Sequence, residues 1–213
     1  MTPTVSVLMA VYNGEAFLRE TVESVLAQSM TDFEFVIVDD ASTDATPAIL
    51  DSFDDARIVR LRNATNLYLH PSLHNGLAVC RAPYIARIDA DDICEPKRLE
   101  RQVAFLESRP NLAGCATWTT EIDHAGKTIG SFAVPGDPAY VRWAMSFKSV
   151  LYHPTLMVRR EVLKSAGSYA NEPHNSPADD YQLLTHLLMR GHAMAVLPER
   201  LVRYRRTEGN MST

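Results

Sequence analysis

Three stretches of the 213-residue sequence crowd carboxylates together: Asp39-Asp40 with Asp44 close behind, Asp89-Ala90-Asp91-Asp92, and Asp179-Asp180. Acids packed this closely repel one another unless a cation or a set of hydrogen-bond donors neutralises them. Carboxylate oxygens are hard ligands suited to Mg²⁺ or Mn²⁺, and Mg²⁺ is usually held by one or two carboxylates together with a substrate's phosphates. The cluster at 89–92 therefore reads as a candidate metal site, with a solvated acidic turn as its alternative. The pair at 179–180 opens a helical pattern, where the helix dipole favours negative charge whether or not chemistry follows. His70 and His74 have the i, i+4 spacing of helical metal ligands, but no third ligand is near in sequence, so they read as surface or core-edge residues. Cys80, Cys94 and Cys115 show no short paired spacing for zinc or redox chemistry.

The elements that must carry these acids can be read from the apolar pattern. Val5 to Val11 is an apolar run broken only by Ser6, as expected for a strand buried on both faces of a parallel sheet. Tyr12-Asn13-Gly14 stops it, and Leu18, Val22, Val25 and Leu26 then predict an amphipathic helix from Glu15 to about Gln28. Phe35-Val36-Ile37-Val38 predicts a second strand ending in the first acid group, and Pro47 sits near the start of the next helix. Arg57 to Leu61 reads as a third strand and Pro71 to Cys80 as its helix, and Tyr84 to Ile88 as a fourth strand ending in the second acid group. This alternation predicts a doubly wound, mostly parallel α/β sheet with right-handed crossovers. Both acid groups then lie at the carboxyl ends of strands, where open α/β sheets bind ligands.

The pattern changes after a helix around Leu99 to Leu106. Ala113 to Ile122 and Thr128 to Ala133 bracket the turn Asp123-His124-Ala125-Gly126, which predicts added antiparallel strands. Thr155 to Val158 reads as a further strand, followed by a short helix that Gly167 can cap. The helix opened by Asp179 and Asp180 ends at Gly191. We expect a single domain over 1–213, with a change of role near Pro110 and no internal linker.

Hydrophobic residues make up 46% and charged residues 22%, an ordinary globular balance. The net charge of -5 argues against broad nucleic-acid binding, which draws on Lys and Arg. Met1-Thr2-Pro3-Thr4 lacks a basic signal-peptide region, and no apolar run approaches the length of a membrane span. The expectation is a cytoplasmic protein, with peripheral association at the inner face of the membrane as a variant of that reading.

Taken together, these stretches resemble a family 2 glycosyltransferase. The resemblance rests on Val5 to Asn13, on Val38-Asp39-Asp40-Ala41-Ser42-Thr43-Asp44 and on Asp89-Ala90-Asp91-Asp92, followed in order by His153-Pro154, Gly167-Ser168-Tyr169 and Asp179-Asp180-Tyr181. It implies a GT-A fold, with residues 1–109 binding a nucleotide-sugar donor and 110–213 binding a glycan or lipid-linked acceptor. The implied reaction is inverting transfer of a sugar from a nucleotide diphosphate, in polysaccharide, lipopolysaccharide or other glycoconjugate synthesis. Carried over by position, Ala10, Tyr12, Asn13, Asp39, Asp40 and Asp89 are the nucleotide contacts, and Asp91 and Asp92 hold Mg²⁺ or Mn²⁺. Asp179, with Asp180 as the alternative, stands at the position of the catalytic base. Tyr12 can stack on a nucleobase, and Asp40 can accept from an N–H such as that of uracil, which favours UDP.

One departure from the family pattern bears on the site. The family's closing loop commonly has a His after a Tyr-Arg pair, whereas here Tyr204-Arg205-Arg206 is followed by Thr207. His153, Arg203 and Arg205 are the candidates for the diphosphate or acceptor contacts that such a His would make, with a solvated basic tail as the alternative. Competing readings are a sugar nucleotidyltransferase, which would want a basic Gly-rich loop where Tyr12-Asn13-Gly14-Glu15 stands, and a catalytically inactive sugar-nucleotide binder. A phosphoacceptor receiver domain would be shorter and would not need the acids at 89–92 or 179–180.

Overall fold

A computed structural model describes residues 2–165 and 179–207 of the chain. Its first half is built as the apolar pattern predicts. Strands β1 (Val5–Val11), β2 (Phe33–Asp39), β3 (Ile58–Arg62) and β4 (Tyr84–Arg87) run parallel in the order β3-β2-β1-β4. Every residue of β1 and β2 is buried, because helices cover both faces. The crossovers are α1 (Leu18–Leu26), α2 (Thr46–Asp51) and α3 (Leu69–Val79). Alternation along β1 divides the core: Val5, Val7, Met9 and Val11 pack with Leu18, Val22 and Val25 of α1, while Leu8 and Ala10 pack with Leu73 and Leu77 of α3. Gly76 is where α3 comes closest to the sheet, for a Cβ there would lie 2.5 Å from Leu8 Cδ1 and 2.9 Å from Val38 Cγ2.

The second half extends the same sheet with mixed strand directions. It comprises β5 (Ile93–Cys94), α4 (Arg98–Glu107), β6 (Leu112–Ile122), β7 (Thr128–Phe132), α5 (Pro138–Ala144), a 3₁₀ turn (His153–Thr155), β8 (Met157–Arg159), α6 (Arg160–Ser165), α7 (Asp179–Met189) and β9 (Ala193–Arg205). The sheet order is β3-β2-β1-β4-β8-β6-β9-β5, with β7 also on β6. β8 is antiparallel to β4 and β6, and β9 is parallel to β6 and antiparallel to β5. This is the expected α/β arrangement, a parallel core with an antiparallel region added. No helix among the described residues is long and apolar enough to cross a membrane.

Three elements differ from the sequence reading. The strand expected from Thr155 starts at Met157, because Pro154 fits the first turn of a 3₁₀ segment and cannot donate to a ladder. Helix α5 carries a capping signal that the reading passed over: Asp137 accepts from the backbone N–H of Ala139 and Tyr140, at 2.8 and 3.2 Å, and Pro138 follows it. β9 is a thirteen-residue strand where the sequence suggested only a basic tail. Gly167 and the Gly167-Ser168-Tyr169 match lie outside the described residues.

β9 ends in Arg205, whose side chain is 2% exposed. Its guanidinium donates from Nε to the carbonyl of Asp91 at 2.8 Å and from Nη1 to those of Asp123 and His124 at 3.0 and 3.1 Å. Nη2 reaches Glu20 Oε2 of α1 at 2.6 Å, and the group stacks 4.3 Å from the Phe17 ring centroid. Arg205→Met would keep the stem and remove the donors, leaving three carbonyls without this partner. We expect it to destabilise the fold by about 2–4 kcal/mol. Urea unfolding would register this as a lower midpoint with an unchanged slope, and a change within about 0.5 kcal/mol would class Arg205 with ordinary surface positions.

Candidate active site

The first acid loop is a clasp between the ends of β1 and β2. The Asp40 N–H donates to the Val11 carbonyl at 2.8 Å, extending the β1–β2 pairing by one step. Asn13, at φ 52°, donates its N–H to Ser42 Oγ at 2.9 Å and accepts from the Thr43 N–H at 2.8 Å through Oδ1. Its side chain is thereby spent on loop geometry. Asp39 is buried, accepts from the Ser42 N–H at 2.9 Å and lies 3.4 Å from Arg62 Nη1. Asp40 Oδ1 accepts from Asn63 Nδ2 at 2.7 Å and from the Leu67 N–H at 2.8 Å. Ala10 lies at the buried end of the same cleft wall, and Tyr12 is 49% exposed beside it. Ala10, Tyr12, Asp39 and Asp40 are therefore brought together at the carboxyl ends of two adjacent parallel strands, while Asn13 and one oxygen of Asp40 are used internally.

The connection from β3 to α3, tied to Asp40, ends in a strained residue. Tyr68, which precedes α3, has φ 69° and ψ 178°, a region that side chains other than glycine's rarely occupy and that costs about 1–3 kcal/mol. The neighbouring Leu67 is tied to Asp40, so the backbone enters α3 from a fixed point.

The second acid loop follows β4. Asp89 is ion-paired with Arg87, whose side chain is buried. Asp91 is partly exposed, and burial followed by the charge of Asp89 pushes its carboxyl up to about 6. Asp92, expected beside Asp91 at a cation, is instead fully buried. Its Oδ1 accepts from the Arg205 N–H at 2.8 Å, whereas Oδ2 has no partner among the described residues. Burial, then the charges of Asp89 and Asp91, raises its carboxyl well above the usual range. Below the loop, buried Arg98 donates through Nη2 to the Arg87 carbonyl at 2.6 Å. Among the described residues no three His, Cys, Asp or Glu side chains are gathered into a self-sufficient metal site. The acids present fit a divalent cation that completes its shell from a ligand's phosphates: Asp91 is accessible and destabilised by its neighbours' charge, and an orphaned carboxylate oxygen lies behind it.

The third acid arrives from the far side of the sheet sequence. α7 begins at Asp179, whose side chain lies outside the described residues, and Asp180 is one-third exposed. Asp180 Oδ1 is 2.8 Å from His70 Nε2 on α3 and 3.1 Å from His153 Nδ1 in the 3₁₀ turn. The two imidazoles lie nearly parallel, with centroids 6.2 Å apart. Burial pushes the Asp180 carboxyl up, but His153, the hydrogen bond from His70 and the charge of Arg87 outweigh it and hold the group well below the usual carboxylate range. Burial lowers His153 to about 4. His153 is thus neutral at neutral pH, and its Nδ1 lies near Asp180 Oδ1 without hydrogen-bond geometry.

Of the candidate diphosphate contacts, His153 is buried against Asp180, and Arg203 donates to the Gly126 carbonyl at 2.7 Å. Arg205 is spent on Glu20 and three carbonyls, so the expectation that it faces a ligand is corrected by its burial. His70 is the residue that sequence reasoning missed. Its partner lies 110 positions away, and the only sequence signal considered was its spacing to His74.

The family described as Glycosyl transferase family 2 matches residues 6–167. EpsE of Bacillus subtilis is 34% identical over 206 residues, covering 95% of this chain and 73% of EpsE. The amylovoran biosynthesis glycosyltransferase AmsE of Erwinia amylovora is 30% identical over 204 residues, covering 94% of this chain and 75% of AmsE. Among solved structures, S. aureus TarS in complex with UDP-GlcNAc superposes with a TM-score of 0.80 at 22% identity, over 100% of this chain and 61% of that one. The mannosyltransferase PcManGT of Pyrobaculum calidifontis, in complex with GDP-Man and Mn²⁺, gives 0.72 at 18% identity, over 99% and 59%. The chain thus spans about three-fifths of these two solved chains, and at such identities the likeness is one of fold.

The electrostatics of the second loop make a prediction for the metal-free protein. Because folding raises the Asp91 carboxyl above its unfolded value, the native state holds that proton more tightly, and stability falls as pH rises from about 4 through about 6. Asp91→Asn should then raise neutral-pH stability in the presence of chelator by about 1–2 kcal/mol, allowing for partial exposure of the acid. The gain should fade towards pH 4. Denaturant midpoints at the two pH values test this, and an unchanged or lower midpoint at neutral pH would mean that the protein already neutralises the acid.

Proposed function

The chain belongs to glycosyl transferase family 2, and from that membership we propose that it moves a sugar from a nucleotide diphosphate donor, with inversion, to a hydroxyl of a glycan or lipid-linked acceptor in polysaccharide or other glycoconjugate synthesis. The observation that carries the proposal is the convergence of two acid loops, at the carboxyl ends of β2 and β4, with Asp180 delivered by α7. Arg87 links the second loop and Asp180 electrostatically, since its charge bears on Asp91, Asp92 and Asp180 alike.

In this reading Tyr12 and Asp40 receive the nucleoside. Tyr12 offers an exposed ring for stacking, and Asp40 Oδ2 takes no protein donor among the described residues while Oδ1 takes two. A uracil N–H would suit that oxygen, so UDP is the proposed nucleotide. TarS, bound to UDP-GlcNAc, and PcManGT, bound to GDP-Man, make UDP and GDP the two to compare. Asp91, with Asp89 beside it, would hold a Mg²⁺ or Mn²⁺ ion, and Asp92 would support the loop from within. When bound, such an ion stabilises the charge that grows on a departing diphosphate.

We assign the base to Asp180 rather than Asp179. The acceptor oxygen forms its bond to the anomeric carbon as the bond to the diphosphate oxygen breaks, and the hydroxyl proton passes to the carboxylate. A positioned carboxylate contributes about 10²–10⁴-fold to such a step. Residues 1–109 then serve the donor and 110–213 the acceptor. Support for a lipid-linked acceptor, and for work at a membrane surface, comes from Trp143 and Phe147, which are 62% and 73% exposed with ring centroids 5.4 Å apart, between Arg142 and Lys148. A nucleotidyltransferase reading has less support: the loop after β1 carries no Lys or Arg and is fastened to the β2 loop.

The decisive experiment uses calorimetry with UDP and GDP alongside turnover of UDP- and GDP-sugars. UDP should bind more tightly than GDP, chelator should abolish transfer, and Asp180→Asn should bind UDP normally while losing at least about a hundredfold in turnover. GDP ranked first would reassign the nucleotide, full turnover in excess chelator would remove the metal, and a fully active Asp180→Asn would move the base elsewhere. Normal nucleotide binding with no turnover by the unaltered protein would instead mark a binding protein.

A further inference from the structure

α3 and the start of α7 meet at one carboxylate oxygen. Both His70 and His153 approach the same oxygen of Asp180, at 2.8 and 3.1 Å, and Oδ2 carries no protein partner among the described residues. An ionised carboxylate accepts only, so His70 presents its Nε2–H, whereas the His153 Nδ1 contact lacks hydrogen-bond geometry. The His70 donor occupies Oδ1, and the buried His153 ring beside it restrains the carboxyl group. The remaining oxygen is then the one atom of the group free to take a proton from outside.

His70 is also held in place from behind. It lies in the first turn of α3, two residues after Tyr68 with its glycine-like backbone and three after Leu67, which is tied to Asp40. Such strain persists only where the surroundings over-determine it, and it is concentrated at functional sites. The segment from Asn63 to His70 therefore runs from the nucleoside side of the cleft, through Asp40, to Asp180.

We propose that His70 is a positioning residue, whose Nε2–H pins Oδ1 of Asp180 so that Oδ2 is presented to the acceptor hydroxyl. The proposal rests on the reading of Asp180 as the base. In the step itself the acceptor O–H bond breaks, a proton joins Oδ2, the oxygen's electron pair forms the bond to the anomeric carbon, and the nucleoside diphosphate leaves with the electrons of the broken bond. His70 neither gains nor loses a proton overall. The groups that face Asp180 are His70 from α3, His153 from the 3₁₀ turn and Arg87 from β4, and Asp89 bears in turn on His153. His70 favours the ionised carboxylate by its hydrogen bond and Arg87 by its charge.

The test compares the unaltered chain with His70→Ala, His70→Gln and Asp180→Asn. UDP-GlcNAc and GDP-mannose serve as donor probes, release of nucleoside diphosphate gives turnover against pH, and UDP calorimetry gives binding. His70→Ala should lower kcat by about 10- to 100-fold, the scale of a misplaced reacting group, with donor KM unchanged. Loss of a donor to the charged form should also move the acidic limb of the pH profile to higher pH. His70→Gln keeps an N–H at the position of Nε2 and should recover most of the rate. An independent readout needs no turnover: in ¹⁵N-edited spectra the His70 Nε2–H should be protected from exchange in the unaltered protein and lose that protection in Asp180→Ala. An unprotected N–H, or His70→Ala with the rate and pH profile of the unaltered protein while Asp180→Asn is inactive, would overturn the positioning role and leave the base assignment standing. A fully active Asp180→Asn would overturn both.

Discussion

Arg205 sits where segments far apart in sequence meet, and the acid loop depends on it. Its backbone N–H serves Asp92, while its side chain serves the Asp91 carbonyl, the turn at 123–124 and Glu20 of α1. Three carboxylates in four residues would drive that loop apart, and water alone cannot screen Asp92, which has none of its surface exposed. The surrounding guanidinium groups of Arg87 and Arg205 lower the cost without removing it, since Asp91 and Asp92 still stand above their ordinary range. A loop left with this residual negative potential is under-neutralised by design of its neighbours, and that imbalance is the physical basis for reading it as a place for a cation and a phosphate-bearing ligand.

Asp180 has been tuned in the opposite direction. Burial should have made it a stronger base, yet His153, the hydrogen bond from His70 and the charge of Arg87 make it a weaker one, ionised at neutral pH. For a displacement in which the proton moves late, readiness and aim matter more than proton affinity, because a misaligned carboxylate contributes little however basic it is. The two carboxylate sites thus divide the electrostatic work, one strained by like charge and one relaxed by donors.

β1, β2 and β4 were legible as short apolar runs buried on both faces, and the partly exposed β3 as a short strand between helical repeats, each followed within two residues by Asp or Asn. The acid groups could be placed at strand ends on that pattern alone. Asp92 could not be told from Asp91, since adjacent residues in one motif carry the same chemistry and only the turn between β4 and β5 sends one inward. β9 escaped notice because its apolar start, Ala193 to Leu197, is interrupted by Pro198-Glu199-Arg200, where the register with β6 shifts, and because its far end is basic. Read locally, Tyr204-Arg205-Arg206 is a solvated tail; only pairing with β6 and β5 turns Arg205 into the core. His70 was opaque for the same reason, as side chains that meet across 110 residues leave no trace in local spacing.

The position of β9 has a consequence for how the molecule comes to be. Its pairing with β6 and β5 and the contact from Arg205 to Glu20 join residues separated by up to 185 positions. Loop-closure entropy makes such contacts slow to form and late in the sequence of events. On a ribosome the parallel core of β1 to β4 is complete as a polymer long before Arg205 has been synthesised, so the nascent chain carries its acid loop without the staple that orders it. Ligand competence should therefore be gained in one late step, when the last strand docks, and a chain stalled before that step would hold a formed half-sheet with an unformed site.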